Sequence, residues 1–256
     1  MANGTQSQRR RSRLSLSLRF SVLMLLAALL PVAAVVGVND LFARQTLIKQ
    51  SSDALSADAN ANASRIDDYF HERLLDGVAL SSLETAPKLL TCVMQVGAAK
   101  QAAAQGAFPL PQVSNDCIDN LDAYKQSVGR ALVVGTKRDP NYTQWDMFLA
   151  NGQLLGSSNQ SVTSVTIPKS DLAAVQQGKQ WISGVYYDAQ NNYAFVHIYT
   201  PIYEVFPSQG AVLGILGATI RLDKVWSIVA QEAHANGSGN LSFITDQNGV
   251  RIAASR

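Results

Sequence analysis

The sequence contains few residues of the types that build metal centres and redox sites. Its 256 residues include two cysteines and three histidines, His71, His197 and His234. They show neither metal-ligand spacing nor a Cys-x-x-Cys motif. The Gly-x-Ser-x-Gly, P-loop and His-Glu-x-x-His signatures of hydrolases, nucleotide-binding proteins and zinc proteases are absent as well. The sequence therefore predicts a protein that is not an enzyme and that uses no metal or cofactor.

Positive charge is concentrated near the N-terminus. Five of the 21 basic residues lie there, namely Arg9, Arg10, Arg11, Arg13 and Arg19. The rest of the chain therefore has 16 basic residues against 19 acidic residues. The slightly acidic balance of the remainder is not that of a nucleic-acid-binding protein. We therefore expect no nucleic-acid partner.

An uncharged apolar segment, FSVLMLLAALLPVAAVVGV, follows the arginines at residues 20–38. As a helix it would span roughly 28 Å, close to the hydrocarbon thickness of about 30 Å. The positive flank predicts a cytoplasmic basic tail at 1–19, a transmembrane helix at 20–38 and a body outside the plasma membrane, in the periplasm or extracellular space. A signal peptide cleaved near Ala34 is the alternative, but the segment exceeds the usual apolar length of about 7–15 residues.

A long helix is predicted after this segment, because residues 43–76 contain neither Gly nor Pro. Apolar or small residues recur there at steps close to three and four: Leu55, Ala59, Asn62, Ile66, Tyr69, Leu74 and Val78. We interpret 41–90 as a stalk helix that forms part of a homodimer seam. A helix packed only against its own domain is the alternative.

The character of the sequence changes at Trp145. Two strand patterns flank an Asn151-Gly152 turn, a short helical segment covers 169–177, and two β-branched and aromatic runs flank residues 190–192. A further uncharged strand, AVLGILGATI, leads into a helical segment. The order strand, strand, helix, three strands predicts an α+β fold with an antiparallel meander covered by the long helix.

The end of the sequence resembles its first hairpin. Phe243-Ile244 corresponds to Phe148-Leu149, and Asn248-Gly249 corresponds to Asn151-Gly152. One hairpin cannot close a core, so we expect 236–256 to be the beginning of a second, truncated module of the same type.

The two cysteines, Cys92 and Cys117, both lie on the predicted exported side. An oxidising compartment favours a disulfide between them, which would close a loop of about 25 residues. Two unpaired buried thiols are the alternative, because sequence does not show whether the Cα atoms approach within about 7 Å.

Taken in order, several segments resemble the double Cache domains of bacterial chemoreceptors, sensor histidine kinases and cyclic-dinucleotide enzymes. The resemblance covers 41–256 and is carried by ANGQLLGSS, GKQWISGVYYD, YTPIYE, GAVLGILGATIRLDKVWSIV and FITDQNGVRIAAS. It implies a PAS-like, membrane-distal sensor module at 91–235 and a membrane-proximal module after it. A second membrane helix and a cytoplasmic output domain, such as a kinase or cyclase, would follow.

Many family members that bind amino acids or amines carry an Arg-x-Trp-Tyr cluster, a Tyr on the third strand and an Asp at the end of the fifth. In this sequence Pro168 occupies the position of the family's Arg, and Ser170 and Asp171 occupy the positions of its Trp-Tyr pair. Thr219 occupies the position of its Asp, so that only Tyr186 matches the family's residue. The resemblance therefore does not imply an α-amino-acid ligand.

A pocket is still expected between the 169–177 helix, the third and fourth strands and the end of the fifth. The candidate ligand-binding residues are Asp171, Trp181, Tyr186, Asp188, His197, Tyr199 and Thr219. The alternatives are that Trp181 and Tyr199 are core aromatics, that Asp188 is a turn residue and that His197 is a strand histidine with ordinary hydrogen bonds.

The function predicted is the extracellular sensing region of a membrane receptor, which binds a small molecule and passes a helix displacement across the membrane. A secreted binding protein or a pilin-like structural subunit are the alternatives. Arg19-Phe20-Ser21 lacks the Gly and Glu of a pilin processing site.

Overall fold

A computed structural model describes residues 16–205, 209–235, 243–245 and 251–254. The chain divides into two compact units, Met1–Asn60 and Ala61–Arg256.

Helix α1, Leu16–Ser81, supplies the regular structure of the first unit and continues into the second. Its apolar segment is exposed along its whole length, and the helix passes through Pro31 without ending. The segment is long and apolar enough to cross a membrane, a test that a signal sequence also meets. The long apolar N-terminal helix predicted from the sequence is confirmed.

The predicted helix over 41–90 is wrong at its C-terminal end, because α1 ends at Ser81 and helix α2, Thr85–Ala104, begins after a short break. The hydroxyls of Ser81 and Ser82 donate to the carbonyls of the last turn, at 2.9 and 2.8 Å, and thereby satisfy groups that a continuing helix would use. Restarting the helix at Thr85 places Pro87 in the first turn, where its missing N–H costs nothing.

Helix α3, Asn115–Thr136, is not predicted from the sequence. It begins at a Ser114 N-cap, whose hydroxyl accepts from the Cys117 amide at 3.3 Å. A disulfide joins Cys92 in α2 to Cys117 in α3, with the two Cα atoms 5.0 Å apart. The two helices are therefore held together covalently.

The second unit is built around an antiparallel sheet. Its strands are β1 Tyr142–Leu149, β2 Leu154–Ser157, β3 Trp181–Ile182, β4 Tyr186–Asp188, β5 Tyr193–Val205 and β6 Gln209–Arg221. The spatial order is β2-β1-β6-β5-β3, and β4 also pairs with β5. The predicted meander is confirmed as β4, β5 and β6, and the α+β fold class with it.

The predicted third strand is divided into β3 and β4. Ser183 interrupts it, because the Ser183 hydroxyl, instead of a main-chain carbonyl, accepts from the His197 amide at 2.9 Å. The main-chain amide of Ser183 still donates to the His197 carbonyl at 2.8 Å.

The sheet separates two apolar clusters. Even-numbered residues of β5, such as Val196 and Ile198, pack with the helical layer that contains Tyr69, Leu90 and Leu132. On the other face, helix α4, Lys169–Gln176, covers a smaller cluster. That cluster consists of Phe148, Ile167, Val175, Tyr199 and Ile215.

Helix α5, Asp223–Ala235, follows β6 directly. Beyond it, β7 Phe243–Thr245 and β8 Arg251–Ala254 pair in antiparallel register. The Asn248-Gly249 turn and most of the predicted second module lie outside the described residues.

Candidate functional site

A row of side chains crosses the sheet on the face below α4. Trp181 pairs with Tyr199, Tyr199 pairs with Gly217, and Gly217 pairs with Asp146. Directly paired residues of antiparallel strands point to the same face. Trp181 and Tyr199 therefore lie side by side, although 18 positions separate them in the sequence.

A second row lies beside the first. His197 pairs with Thr219, and Tyr186 pairs with Phe195 on the neighbouring step of β5. The His197 ring lies 5.3 Å from the Tyr186 ring and 5.8 Å from the Tyr199 ring, measured between centroids. The three rings form a continuous aromatic wall.

Asp171 in the first turn of α4 faces these rows and is only 6% exposed. Its Oδ1 accepts from Trp181 Nε1 at 3.1 Å and from the Ser170 hydroxyl at 3.3 Å. Its Oδ2 is buried and has no hydrogen-bond donor within the described part of the chain. A buried acceptor of this kind destabilises the protein unless another group donates to it.

The electrostatics of the wall follow from burial and from Asp171. Burial lowers the pKa of His197, and the carboxylate of Asp171 opposes that shift. Burial, and then Asp171, raise the pKa values of Tyr186 and Tyr199. At neutral pH the wall therefore presents a neutral imidazole and two protonated hydroxyls.

His197 is held in place by Thr219. The distance from Nδ1 to Thr219 Oγ1 is 3.0 Å, and the direction of donation depends on the tautomer. This contact agrees with the alternative stated for His197, that of a strand histidine with ordinary hydrogen bonds. Its opposite ring edge belongs to the aromatic wall.

Six of the seven candidate residues thus lie together on one face, whereas Asp188 lies at the turn end of that face, opposite Tyr193. Its carboxylate accepts from the amides of Gln190 and Asn191, at 2.9 and 3.1 Å, and from Asn191 Nδ2 at 2.8 Å. These contacts close the β4–β5 turn. Asp188 is therefore placed as a turn residue.

Sequence reasoning missed Asp146, which is 5% exposed at the far end of the first row. Gln144 Nε2 donates to both of its oxygens, at 2.8 and 2.6 Å, and burial raises its pKa. The signal was a carboxylate within the otherwise apolar WDMF strand. Gly217 was missed too: a Cβ there would lie 2.9 Å from the Phe148 ring, so glycine keeps the row open.

No group of three or more His, Cys, Asp or Glu side chains that could hold a metal ion occurs among residues 16–205, 209–235, 243–245 and 251–254.

A cleft of about 590 Å³ lies away from these residues. The C-terminal turn of α1, the first half of α2, the start of α3 and the Thr200–Glu204 part of β5 line it. None of the seven candidates contributes to its walls.

Comparison with known proteins gives structural matches only. No protein-family model matches the sequence, and no curated protein matches it. The ligand-binding domain of the Campylobacter jejuni chemoreceptor Tlp3, solved with 4-methylisoleucine, is 19% identical with a TM-score of 0.38, over 72% of this chain and 70% of that chain. The Pseudomonas aeruginosa PctC domain, solved with GABA, is 15% identical with a TM-score of 0.35, over 73% and 74%.

An extracellular ligand-binding receptor from Desulfohalobium retbaense is 14% identical with a TM-score of 0.40, over 68% of this chain and 30% of that chain. Two of these are chemoreceptor ligand-binding domains, and the third is an extracellular ligand-binding receptor. Because every TM-score is below 0.5, no ligand and no residue role is carried over to this chain.

Proposed function

We propose that this chain is the extracytoplasmic sensing region of a membrane receptor, and that a small polar molecule binds the face formed by Asp171 and the aromatic wall. The observation that carries the proposal is the buried Oδ2 atom of Asp171, which lacks a donor among the described residues. A ligand N–H or O–H group would satisfy it. The unmade bond costs about 1–3 kcal/mol, which a ligand recovers on binding.

The rim of this face suggests how a ligand would enter. Trp181 and Tyr186 are 41% and 37% exposed, whereas Tyr199 and Asp171 behind them are buried. A polar head directed at Asp171 would therefore leave the rest of the ligand against two accessible aromatic surfaces. Aromatic walls with a few polar groups at the base are typical of small-molecule sites.

Strand β3 connects this face to helix α1. Successive strand residues point to opposite faces, so Trp181 faces the site and Gln180 faces α1. Gln180 Nε2 donates to the Leu74 carbonyl of α1 at 2.8 Å and to Thr200 Oγ1 at 3.2 Å. In the proposed mechanism a ligand that shifts Trp181 also shifts Gln180, and the ligand favours one of two α1 positions by its difference in affinity.

A second attachment holds α1 at Arg73 and Asp76, within two residues of Leu74. Arg73 is buried and pairs with Asp139 and with Asp76, the latter at 3.3 Å. The Tyr142 hydroxyl donates to Asp76 Oδ2 at 2.8 Å. The proposed displacement of α1 would have to change the contacts of Arg73 and Asp76. These contacts and the Gln180 hydrogen bond would together set the free-energy difference between the two positions of α1.

The remaining parts of the proposal concern the membrane and the dimer. We place residues 20–38 in the membrane, with the sheet outside. Leu41, Leu47, Ile48 and Leu55 are exposed on α1, and we propose that a homodimer covers them. A reporter fused after Leu41 should be active only outside the cytoplasm; activity in the cytoplasm would reject the receptor proposal.

The binding proposal is tested with the full chain in detergent. Carboxylates, amines, purines and sugars are screened for an increase in Tm, and every hit is repeated with Asp171→Asn and with Asp122→Asn, an exposed carboxylate on α3. We expect the shift to be lost in D171N and kept in D122N. Hits that survive D171N, or a screen without any hit, would argue against direct sensing at this face.

A further inference from the structure

We infer that the 590 Å³ cleft is a second small-molecule site, separate from the sheet face, and that its ligand is a small organic cation. The volume lies within the range of about 300–1,000 Å³ that is usual for small-molecule sites. Three helices and one strand contribute to the walls. The inference does not depend on a ligand at Asp171.

Part of the cleft lining is apolar. It consists of Val78, Pro87, Pro201 and the Cys92–Cys117 disulfide. The disulfide holds the start of α3 against α2, and so fixes two walls relative to each other. These apolar groups favour a ligand with a compact hydrocarbon body.

Charge on the walls is mainly negative. Glu84, Asp116 and Glu204 line the cleft together with a single cation, Lys88. Lys88 Nζ is already paired with Glu84 Oε1 at 2.6 Å. This leaves an excess of negative charge that a cationic ligand would neutralise and an anionic ligand would increase.

The donors around Asp116 do not cancel its charge. Its carboxylate accepts from the Tyr124 hydroxyl, at 2.9 and 3.0 Å, and from Asn120 Nδ2 at 2.9 Å. Both donors are neutral. Asp116 therefore remains a full negative charge at the edge of the cleft.

Helix ends at the cleft agree with this preference. Val78 and Ser81 belong to the last turn of α1, and the negative end of the helix dipole there favours a cation. The N-termini of α2 and α3 also reach the cleft and would favour an anion, but Glu84 and Asp116 already occupy those ends. At the C-terminal end of α1, by contrast, the last turn contains no basic residue.

The position of the cleft gives the second site a consequence. Gln180 and Thr200 line it, and these are the residues that contact α1 at Leu74 and Gly77. A molecule in the cleft would touch both α1 and Gln180, the residue directly before β3. Its binding would therefore change the same contact as a ligand at the sheet face, from the opposite side.

The test uses three probes that share one ring and differ in charge: cyclohexylamine, cyclohexanol and cyclohexanecarboxylate. Calorimetric titration of the full chain should give the tightest binding for the amine, weakened by added salt. Equal affinity for the three probes, or preference for the carboxylate, would overturn the inference.

Variants then locate the binding. Asp116→Asn and Glu204→Gln should each weaken amine binding about three- to ten-fold, because each removes one nearby charge. Asp119→Asn, an exposed carboxylate on the same helix that does not line the cleft, should leave it unchanged. Asp171→Asn should also leave it unchanged, which separates this inference from the sheet-face proposal. Unaltered binding in both D116N and E204Q would overturn the inference.

Discussion

Helix α1 lies close to strand β5 at Gly77, and this contact makes a quantitative prediction possible. A Cβ on Gly77 would collide with the Thr200 hydroxyl and would lie 3.4 Å from Thr200 Cβ and 3.7 Å from Gln180 Nε2. Thr200 is buried and its hydroxyl accepts from Gln180, so rotating the hydroxyl away sacrifices that hydrogen bond. We predict that Gly77→Ala destabilises the protein.

Two opposing effects set the magnitude. Alanine in a helix interior is favoured over glycine by about 0.5–1 kcal/mol. Inserting a methyl group into close-packed surroundings costs about 1–3 kcal/mol. The clash therefore outweighs the gain, and at about 2–4 °C per kcal/mol the Tm should fall by several degrees.

Gly97→Ala is the matched control. Gly97 lies inside α2, and a Cβ there would have nothing within 4 Å. Only the helix-propensity gain applies, so G97A should raise the Tm by about 1–4 °C. Both variants are measured by circular dichroism on the full chain in the same detergent.

Removing the Thr200 hydroxyl should rescue the variant. In the double variant G77A/T200A the remaining Cβ contact of 3.4 Å is ordinary van der Waals distance. The loss in the double variant should therefore be smaller than the sum of the two single losses. If G77A is as stable as G97A, or if T200A gives no rescue, the close approach of α1 to β5 is not as described.

Three further predictions concern other contacts. Replacing Cys92 and Cys117 by Ala should cost about 3.5 kcal/mol in denaturant unfolding, because the unfolded chain regains the entropy of an open loop; a reductant should act equally on the wild type and not on the variant. Burial lowers the folded-state pKa of His197, so the folded protein favours the neutral imidazole. The stability that the neutral imidazole contributes is complete above the unfolded-state pKa of about 6.5 and is lost as the pH falls through the folded-state pKa. Between pH 7 and pH 5, His197→Gln should therefore lose less stability than the wild type, at about 1.4 kcal/mol per unit of pKa difference; an equal loss in the two proteins would contradict this. Arg73→Met should cost about 2–3 kcal/mol, less than for a fully buried pair, because its carboxylate partners keep some exposure; an unchanged denaturation midpoint would contradict this.

Local patterns in the sequence were sufficient for most elements of the fold. The Asn151-Gly152 pair forms the turn between β1 and β2, with Gly152 at a positive φ of 83°. Helix α3 was missed although Leu121, Tyr124, Val128 and Leu132 recur at steps of three and four. Interior glycines lower its helix propensity, and packing against the core compensates for them.

The site was predicted only as far as local alternation reaches. The period of two along β5 places His197 and Tyr199 on one face, whatever the partner strands are. The β1–β6 pairing brings Asp146 into the row of Tyr199, and this pairing joins residues about 70 positions apart. No short-range pattern fixes such a pairing, so Asp146 could not be assigned to the site from the sequence.

The alternation of β5 also has an evolutionary consequence. Residues that would recognise a ligand and residues that pack beneath the helical layer occupy alternate positions of the same strand. A substitution at His197 changes the aromatic wall on the sheet face, while Val196 and Ile198 continue to pack in the interior. In the proposed site, specificity can therefore change without a matching loss of foldability.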